Sequence, residues 1–599
     1  MKDFFKYTMA TICGIVIMSV IGLILLALTV TGLLAGKDTN IKAKSNSVFV
    51  LRMDGMVSER AEESSPLNQL IGMTDIDIIG LDDIQKAIRM ARDEENIKGI
   101  YIEGGATVFD APATAQQVRD ALLDFKKSGK WVYAYADKML QASYYVCSAA
   151  DSVFLNATGM IDFKGLGGKH QYMTGLYEKV GVKYQTARVG KYKSYVESVT
   201  RKDMSAEDRE QREAYLKGIW QQWTSQMAES RKVSAEQLDS LANDSILLFA
   251  TTDDYLSAHL VDRVFFPEEM KKVVTRKLGL DDDETVNQLT LSDMMKLKPS
   301  KKVRERGDKI AVYYAYGEIV DEMLSPLFTD HCIIGSETVR DLQKLANDDE
   351  VKAVVLRVNS GGGSATASEQ IWHAIEMLKA KKPVVVSMGG LAASGGYMIS
   401  CNANYIFAEP STITGSIGIF GLVPNFNGLV TDKLGVTWDG VSTNKYTDYE
   451  NDLIFSADNS DKMNYLQGYT DRGYERFLEI VGNGRNMTKD EVNEIAQGRV
   501  WLATDALGIH LVDQLGSLDD AIKKASELCN AKDYYTTSYP AKKDWVESLL
   551  NGENESPISN LDSQLRQILG DFYEPVMQLR LDQHRNCLQA RLPYDVSVK

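Results

Sequence analysis

The feature of this sequence that most constrains its fold is an internal repeat with a period of about 250 residues. Residues 91–102 (ARDEENIKGIYI) resemble residues 345–356 (LANDDEVKAVVL), and residues 150–162 (ADSVFLNATGMID) resemble residues 403–415 (ANYIFAEPSTITG). Other matches follow in the same order, and an HLVD stretch stands near the end of each half. Because unrelated matches rarely keep both order and spacing, we interpret the chain as a duplicated domain.

Each half alternates runs typical of strands with patterns typical of helices. Residues 351–358 (VKAVVLRV) and 382–388 (KPVVVSM) are continuous apolar runs, as in parallel strands that are covered on both faces. Between them, residues 368–382 carry apolar side chains at helical spacing, with Ser368 as the expected N-cap. Strands and helices in this alternation predict an α/β fold with mostly parallel sheets.

The repeat also sets the expected domain boundaries. Residues 203–232 and 458–480 are predicted to form long helices at equivalent places in the two halves. A stretch rich in lysine and arginine, residues 292–308, is the expected linker between the two halves. The predicted organisation is an N-terminal membrane anchor, a first repeat, a second repeat and a C-terminal tail, covering residues 1–46, 47–300, 301–535 and 536–599.

The anchor is predicted from residues 7–36, which contain no charged side chain. As a helix this segment would be ~45 Å long, which exceeds the ~30 Å hydrocarbon core of a bilayer. Its apolar run is longer than the ~7–15 residues of a secretory signal, and no A-x-A cleavage site follows. We therefore expect one uncleaved transmembrane helix. Lysines stand on both sides of it, so charge alone does not fix its orientation.

Composition excludes several classes of protein. The chain has 67 basic and 83 acidic residues, a net charge of −16, which disfavours binding to nucleic acid. Its 6 cysteines include no C-x-x-C pair, so neither a disulfide framework nor a zinc site is expected. The chain also lacks the G-x-x-x-x-G-K-[ST] loop that binds nucleotide phosphates. We expect no metal and no cofactor.

The two halves differ at positions where catalytic residues could stand. The second half has two glycine-rich turns, residues 359–369 (NSGGGSATASE) and 391–400 (LAASGGYMIS), with Ser394 between small residues. In the first half, residues 139–148 (MLQASYYVCS) correspond to residues 391–400. We expect tyrosines there in place of both Gly395 and Gly396. Its Ser143 lacks a glycine turn and is rejected as a nucleophile.

The first half keeps a lysine-containing segment, residues 188–198 (RVGKYKSYVES), that the second half lacks. A serine nucleophile needs an adjacent base, which can be a histidine or a buried, neutral lysine. His259 and His510 occupy equivalent positions of the repeat, which structure explains better than catalysis, and His373 lies within a predicted helix. We find no Ser-His-Asp arrangement among the histidines. Residue chemistry alone leaves Lys191 and Lys193 open as the base. The repeat favours Lys193, because Lys191 has a lysine counterpart in the second half and Lys193 does not.

Four segments together resemble the signal peptide peptidase SppA family, also called protease IV, in its long bacterial form with tandem domains. They are RVNSGGGSATASE, AASGGYMIS, STITGSIGIFG and VGKYKSYVES, and the resemblance extends from the anchor to about residue 535. It implies tandem ClpP/crotonase-like domains with Ser394 as nucleophile, Lys193 as general base and the amides of Gly363 and Gly395 as oxyanion donors. Gly361 stands where the family often has proline.

The same resemblance implies a membrane-bound serine endopeptidase that degrades released signal peptides and other short apolar peptides. It further implies a homotetramer, held by single-pass anchors in the bacterial inner membrane, with its catalytic part on the periplasmic side. Ser416 and Thr414 are candidates to orient the lysine, or are turn residues, and Ser416 is the favoured one.

Two other classes remain open at this level. A crotonase-like acyl-CoA enzyme would use paired amides to polarise a thioester and would have no need for Lys193. A catalytically silent, membrane-bound scaffold would bind peptides and would be unaffected by replacement of Ser394. The acidic chain and the predicted anchor argue against the first, and the complementary Ser and Lys argue against the second.

Overall fold

The computed structural model describes most of the chain after the first forty residues. The described residues are Met18, 41–61, 78–243, 250–298, 306–322, 331–542 and 589–591. The predicted anchor at 7–36 lies outside them apart from Met18. Among the described helices, none has the length and apolar character needed to cross a membrane.

The first half is built around a parallel sheet whose central strands are largely buried. Its order is Asn287–Leu289, Ser47–Arg52, Ile97–Glu103, Trp131–Met139, Ser152–Ile161 and Arg263–Phe265. The helices of this half are Leu81–Asp93, Pro112–Lys126, Gln141–Cys147, Thr174–Val180, Glu197–Thr200, Ala206–Arg231, Ala235–Asn243, Thr252–Ser257, Pro267–Lys277 and Leu291–Met295. Phe49, Ile100 and Val132 lie in the core beneath them.

The second half repeats this plan. Its main path is Val500–Leu502, Ile413–Gly415, Val384–Ala393, Val351–Ser360, Asp308–Tyr316 and Tyr534–Tyr539, and Tyr405–Ala408 and Gln514–Leu515 pair beside it. All neighbours are parallel except the pair Ile413–Gly415 and Val500–Leu502. The helices are Gly335–Asn347, Ala365–Lys379, Gly395–Met398, Tyr449–Phe455, Ser460–Arg485, Lys489–Ile495, Ala503–Gly508 and Leu518–Leu528, with a π-helix at Gly428–Lys433.

Equivalent contacts in the two halves support the interpretation of a duplicated domain. Arg231 pairs with Asp262 in the first half, and Arg485 pairs with Asp513 in the second. The carbonyls of His259 and His510 accept hydrogen bonds from the same two arginines, and both histidines have a positive φ, 56° and 60°. These histidines therefore have a structural role at equivalent chain turns, in line with their equivalent positions in the repeat.

Two local expectations need correction. The helix Ala365–Lys379 begins earlier than predicted, and its N-cap is Ser364, whose side chain accepts a hydrogen bond from the amide of Ala367. Ser368 lies within the first turn and donates to the carbonyl of Ser364. The expected linker at 292–308 also begins later, because Leu291–Met295 is helical and buries Met294 in the first core.

Two smaller sheets lie at the ends of the main ones. One contains Ile78–Gly80, Met56–Ser58 and Val108–Phe109. The other joins the halves, in the order Cys332–Ile334, Glu318–Val320, Gly362–Ser364, Gln589–Arg591, Phe420–Asn425 and Lys183–Arg188. Antiparallel pairing of Lys183–Arg188 with Phe420–Asn425 brings a first-half strand against the second half.

A buried ion pair also holds the halves together. Arg357 stands in a core strand of the second half, and its Nε lies 2.7 Å from Glu59 Oε1 of the first half. Its Nη2 donates to Gln117 Oε1 at 2.8 Å. Glu409 is buried beside the same arginine, and its Oε1 lies 3.9 Å from Arg357 Nη1. Removing one partner from such a pair leaves an uncompensated charge and costs about 3–5 kcal/mol.

Glu409 makes the stability of this interface depend on pH. Burial raises its pKa to about 8, against the opposing effect of Arg357, and the charges of Asp120, Glu59 and Asp520 add to the rise. A raised pKa in the folded state means that the group stabilises most below its unfolded pKa, and this contribution is lost as pH rises towards 8.

We expect wild type to lose stability between pH 5 and pH 8 more steeply than Glu409→Gln, by up to about 1.4 kcal/mol per pH unit. Urea unfolding at several pH values measures this slope. Glu450→Gln, at an exposed position, is the matched control and should follow wild type. Equal slopes for wild type and Glu409→Gln would contradict the prediction.

Candidate active site

Ser394 lies at the junction of a strand and a short helix. The strand Val384–Ala393 ends directly before it, and the helix Gly395–Met398 begins directly after it. Its φ of 57° and ψ of −117° are unusual for a residue with a side chain, and such strain persists only where surrounding contacts enforce it. Here its amide donates to the carbonyl of Gly415 at 2.8 Å, and its own carbonyl accepts from Met398 at 2.9 Å.

Gly396 lets this turn lie close to the neighbouring strand. A Cβ added to Gly396 would come within 2.4 Å of the carbonyl oxygen of Ser360. The glycine after Gly395 is therefore required for the close approach of this turn to the backbone at Ser360.

Lys193 reaches Ser394 from the other half of the chain. Its Nζ lies 2.7 Å from Ser394 Oγ, 3.1 Å from Ser416 Oγ and 3.0 Å from the carbonyl oxygen of Ser416. Both Lys193 and Ser394 are 0% exposed. Burial lowers the pKa of Lys193 well below its ordinary value of 10.5. A neutral amine beside a serine hydroxyl can accept its proton, which a charged ammonium cannot.

Main-chain contacts hold the segment that carries Lys193. The amide of Tyr192 donates to the carbonyl of Gln497 at 3.0 Å, and Gln211 Nε2 donates to the carbonyl of Tyr192 at 3.1 Å. Gln211 belongs to the long helix Ala206–Arg231 and also accepts from the amide of Val500. The position of Lys193 thus depends on both halves.

Gly498 packs directly against Lys193. It has φ of +80°, and an added Cβ would lie 2.6 Å from both the Cβ and the amide nitrogen of Lys193. We expect Gly498→Ala to lower kcat by about 100-fold or more, because a shift of ~1 Å in a reacting group has that effect. Steady-state hydrolysis of a peptide measures it.

The matched control is Gly279→Ala. Gly279 has φ of +71° and nothing within 4 Å of the added Cβ, so this variant carries the backbone strain without the clash. It should lose roughly 1–2 kcal/mol of stability and keep full activity. Equal kcat for Gly498→Ala and Gly279→Ala would show that Gly498 does not position the lysine.

The expected oxyanion donors, Gly363 and Gly395, belong to elements that pack against each other. Gly363 lies in the strand Gly362–Ser364, which contacts the helix Gly395–Met398. A Cβ on Gly363 would come within 2.0 Å of the carbonyl oxygen of Ile319, so the turn needs glycine. Gly395 is the first residue of its helix, where an amide has no acceptor within the helix.

The other sequence candidates lie outside this cluster of Ser394, Lys193 and Ser416. Lys191 is exposed, with Nζ 5.2 Å from the ring centre of Tyr192. Thr414 lies in the strand Ile413–Gly415, and its Oγ1 donates to the carbonyl of Ala392 on the neighbouring strand at 2.7 Å. Ser143 is buried and its Oγ lies 3.4 Å from the carbonyl oxygen of Thr107.

The expectation that tyrosines replace both glycines in the first half was wrong. Tyr144 donates to the carbonyl of Leu260 at 2.9 Å, and Tyr397 donates to the equivalent Leu511 at 2.9 Å. Tyr144 therefore corresponds to Tyr397, which places Ala142 and Ser143 opposite the two glycines. Tyr145 stacks on Trp223 with ring centres 4.3 Å apart, so this part of the first half is filled by packed aromatic rings.

Sequence reasoning did not find Gly498 or Arg357. Arg357 had a visible signal, a charged residue inside the apolar run 351–358, which in a parallel strand must be paired when buried. Gly498 had none, because a glycine near a predicted strand is consistent with many turns.

Comparison with known proteins first gives the class to which this fold belongs. A model of the Clp protease family matches residues 328–412, in agreement with the predicted ClpP-like fold. The model described as peptidase family S49 matches twice, at residues 124–281 and 376–532, once in each half.

Relatives over most of the chain give the particular family. The chain is 35% identical to "Protease 4" of Haemophilus influenzae over 94% of its own length and 92% of that protein. It is 34% identical to "Protease 4" of Salmonella typhi, over 86% and 84% of the two chains. It is 29% identical to the chloroplastic "Serine protease SPPA" of Arabidopsis thaliana, over 69% and 61%. The chain therefore belongs to peptidase family S49 and is a serine protease of the SppA type.

Proposed function

We propose that this serine protease uses Ser394 and Lys193 as a catalytic dyad and degrades released signal peptides and other short apolar peptides at a membrane. The observation that carries the proposal is the 2.7 Å separation of Lys193 Nζ and Ser394 Oγ inside a fully buried site. A lysine without solvent has a depressed pKa, so it can act as a base near neutral pH.

The proposed reaction begins with transfer of the Ser394 hydroxyl proton to the neutral amine of Lys193. Ser394 Oγ attacks the peptide carbonyl, and the amides of Gly395 and Gly363 donate to the developing oxyanion. One such donor contributes about 10²–10³ in kcat. Ser416 accepts a hydrogen bond from the Lys193 amine and so directs its lone pair towards Ser394.

The amine then protonates the departing nitrogen of the peptide, which leaves an acyl-enzyme on Ser394. Lys193 next takes a proton from water, and the hydroxide that forms attacks the ester. The expelled serine recovers its proton from Lys193, so the dyad returns to its starting state. Each step uses side chains and amides of this chain together with water.

The proposed substrates follow from access to the site and from the predicted anchor. A buried dyad admits an extended, unfolded segment more readily than a folded domain. We propose that residues 7–36 hold the protein in the bacterial inner membrane with its catalytic part in the periplasm, close to released apolar peptides. Assembly into a tetramer is part of the same proposal and rests on the family resemblance.

The test compares substrates on the full chain in detergent micelles. A fluorogenic peptide with an apolar core should be cleaved, and a polar peptide of equal length should be cleaved at least about tenfold more slowly. An acyl-CoA thioester tests the crotonase-like alternative and should remain intact. Hydrolysis of the thioester in place of the peptides would replace this proposal, and a folded protein that cleaves neither would favour a silent scaffold.

A further inference from the structure

A cluster of four side chains packs against the segment that carries Lys193. Arg499 Nη1 donates to Tyr192 Oη at 3.1 Å and lies 2.8 Å from Glu210 Oε1. The Tyr192 hydroxyl donates to Glu210 Oε2 at 3.0 Å. The guanidinium carbon of Arg499 lies 4.9 Å from the ring centre of Tyr192 and 4.4 Å from that of Trp501. We call Arg499, Tyr192, Glu210 and Trp501 the arginine clamp.

The arginine clamp joins the two halves of the chain. Tyr192 and Glu210 belong to the first half, and Arg499 and Trp501 belong to the second. Because Tyr192 directly precedes Lys193, the clamp fixes the main chain from which the lysine side chain starts. It therefore acts on the proposed base without touching the reacting atoms.

The main chain of Arg499 holds a second part of the site. Its carbonyl accepts a hydrogen bond from the amide of Ser416 at 2.6 Å. Ser416 has φ of 50°, in the left-handed region, where a residue with a side chain is strained and stays only because its contacts enforce it. Ser416 Oγ lies 3.1 Å from Lys193 Nζ. Arg499 is thus linked to the lysine through Tyr192, and to the serine proposed to orient that lysine through a main-chain hydrogen bond.

Stacking, more than hydrogen bonding, explains why an arginine stands at position 499. The Arg499 side chain is 21% exposed, and its buried Nε has no hydrogen-bond partner among the residues that the structure describes. An unsatisfied buried donor lowers the stability of a protein, so its persistence needs a reason. A guanidinium is planar and can lie against two aromatic rings at once, whereas a lysine ammonium is a compact charge. The clamp therefore requires arginine and not merely a positive charge.

The residue after Lys193 is held within the first half. Ser194 Oγ donates to Asp208 Oδ1 at 2.6 Å, and Arg212 Nε donates to Asp208 Oδ2 at 2.8 Å. These contacts follow the packing of the first half, whereas the arginine clamp forms where the second half lies against it. Together the two sets of contacts fix Lys193 from both sides of the junction between the halves.

We propose that Arg499 is a positioning residue for Lys193, which holds Tyr192 and Ser416 in place so that docking of the two halves brings the lysine amine against Ser394. The proposal rests on the proposed function, because it takes Lys193 to be the base. The effect of Arg499 on the position of Lys193 does not depend on catalysis and is tested separately.

The activity test compares wild type, Arg499→Lys, Arg499→Met and Arg476→Met as full-length proteins in micelles. Arg476 is the matched control, because its guanidinium carbon lies 5.3 Å from the ring centre of Trp372 and its Nε lies 2.8 Å from Glu369, all within the second half. We expect kcat on an apolar fluorogenic peptide to fall about tenfold to 100-fold in both Arg499 variants, because a displaced base slows the chemistry. KM should stay within about twofold of wild type, since substrate binding is left in place. Arg476→Met should match wild type.

The pH profile separates positioning from a general loss of stability. A displaced Lys193 regains contact with water, which relieves the burial that lowers its pKa. Because the proposed base acts as the neutral amine, the acidic limb of kcat/KM should move to higher pH by about one unit in both Arg499 variants. Arg499→Lys keeps the positive charge, so its shift reports the position of Lys193 and not a lost charge. The other charged groups that contact or adjoin this segment are the same in all four proteins, and they are Arg188, Lys191, Glu197, Asp208, Glu210 and Arg212.

Chemical labelling tests the position of Lys193 without relying on catalysis. The four proteins are treated with acetic anhydride, and mass spectrometry measures acetylation of Lys193 relative to Lys191, which is exposed. We expect Lys193 to react at least about tenfold faster in both Arg499 variants than in wild type and Arg476→Met, because loss of the clamp opens the buried amine to solvent more often. If every protein proved inactive but this pattern held, the proposed function would fail and the position of Lys193 would still depend on Arg499.

Three results would overturn the proposal. The first is wild-type kcat and wild-type labelling of Lys193 in both Arg499 variants. The second is a lower kcat with an unmoved acidic limb and unchanged labelling, because Arg499 would then have a structural role alone. The third is a shifted limb in Arg499→Met and not in Arg499→Lys, which would assign the effect to charge. Arg499→Lys decides the outcome if Arg499→Met does not fold, since it keeps the positive charge and adds no volume.

Discussion

Ser394→Ala is expected to reduce kcat on a fluorogenic peptide by about 10⁴–10⁶ while leaving the fold intact. Loss of a serine nucleophile has effects of this size, because the acyl-enzyme route is closed and only binding and oxyanion stabilisation remain. The substitution removes one buried hydroxyl beside Lys193 and adds no atoms, so circular dichroism and the unfolding midpoint should change little. A serine-reactive phosphonate should label wild type and not the variant.

The chain offers a matched control in its first half. Ser143 is also buried, and it stands close to the repeat position of Ser394. Ser143→Ala should keep both peptidase activity and phosphonate labelling. Activity that survived Ser394→Ala would move the nucleophile elsewhere, and activity lost in both variants would point to a general effect of removing buried hydroxyls.

Lys193→Met is expected to abolish activity and, at neutral pH, to make the protein more stable. Activity falls because no amine remains 2.7 Å from Ser394 Oγ to take its proton. The expected gain in stability has a different origin. The proposed mechanism requires wild type to keep this buried amine neutral, and deprotonating a lysine of ordinary pKa 10.5 at pH 7 costs about 5 kcal/mol.

Lys193→Met also loses hydrogen bonds, and this loss of stability is smaller than the gain. Methionine leaves Ser416 Oγ and the Ser416 carbonyl without the lysine as a partner, at a cost of about 1–3 kcal/mol. The expected net gain is therefore about 2 kcal/mol at pH 7. Its pH dependence follows from the depressed pKa of Lys193. Above the folded pKa the unfolded chain binds more protons than the folded one, so wild type gains stability as pH rises towards 10.5.

Urea unfolding of wild type and Lys193→Met at pH 7 and pH 10 measures this difference, which should shrink at the higher pH. Lys191→Met is the control, because Lys191 is exposed and its replacement should change stability by less than about 0.5 kcal/mol and leave activity intact. A less stable Lys193→Met protein at pH 7 would indicate that Lys193 is charged in the folded state, and it would then be no base.

The sequence by itself determined the architecture and the pair of residues to test. Apolar runs such as 384–388 and 351–356 define strands locally, and the repeat revealed the duplication without any tertiary information. Because a duplicated domain can lose a functional residue from one copy, comparison of the halves singled out Ser394 and Lys193. Local errors, such as Ser368 in place of Ser364 as the N-cap, arose where two similar residues lay one turn apart.

Only the tertiary structure showed that Lys193, and not Lys191, lies against the serine and that it is buried there. Lys191 and Lys193 are two positions apart in the same segment, yet one is exposed and the other is fully buried. Burial depends on how both halves pack around the segment, through contacts such as that of Gly498 with Lys193. The pairing of Ala590 with Gly363 likewise joins residues far apart in the chain. Periodicity reports which face of an element is apolar, whereas a pKa and a strand pairing depend on neighbours that only the folded chain brings together.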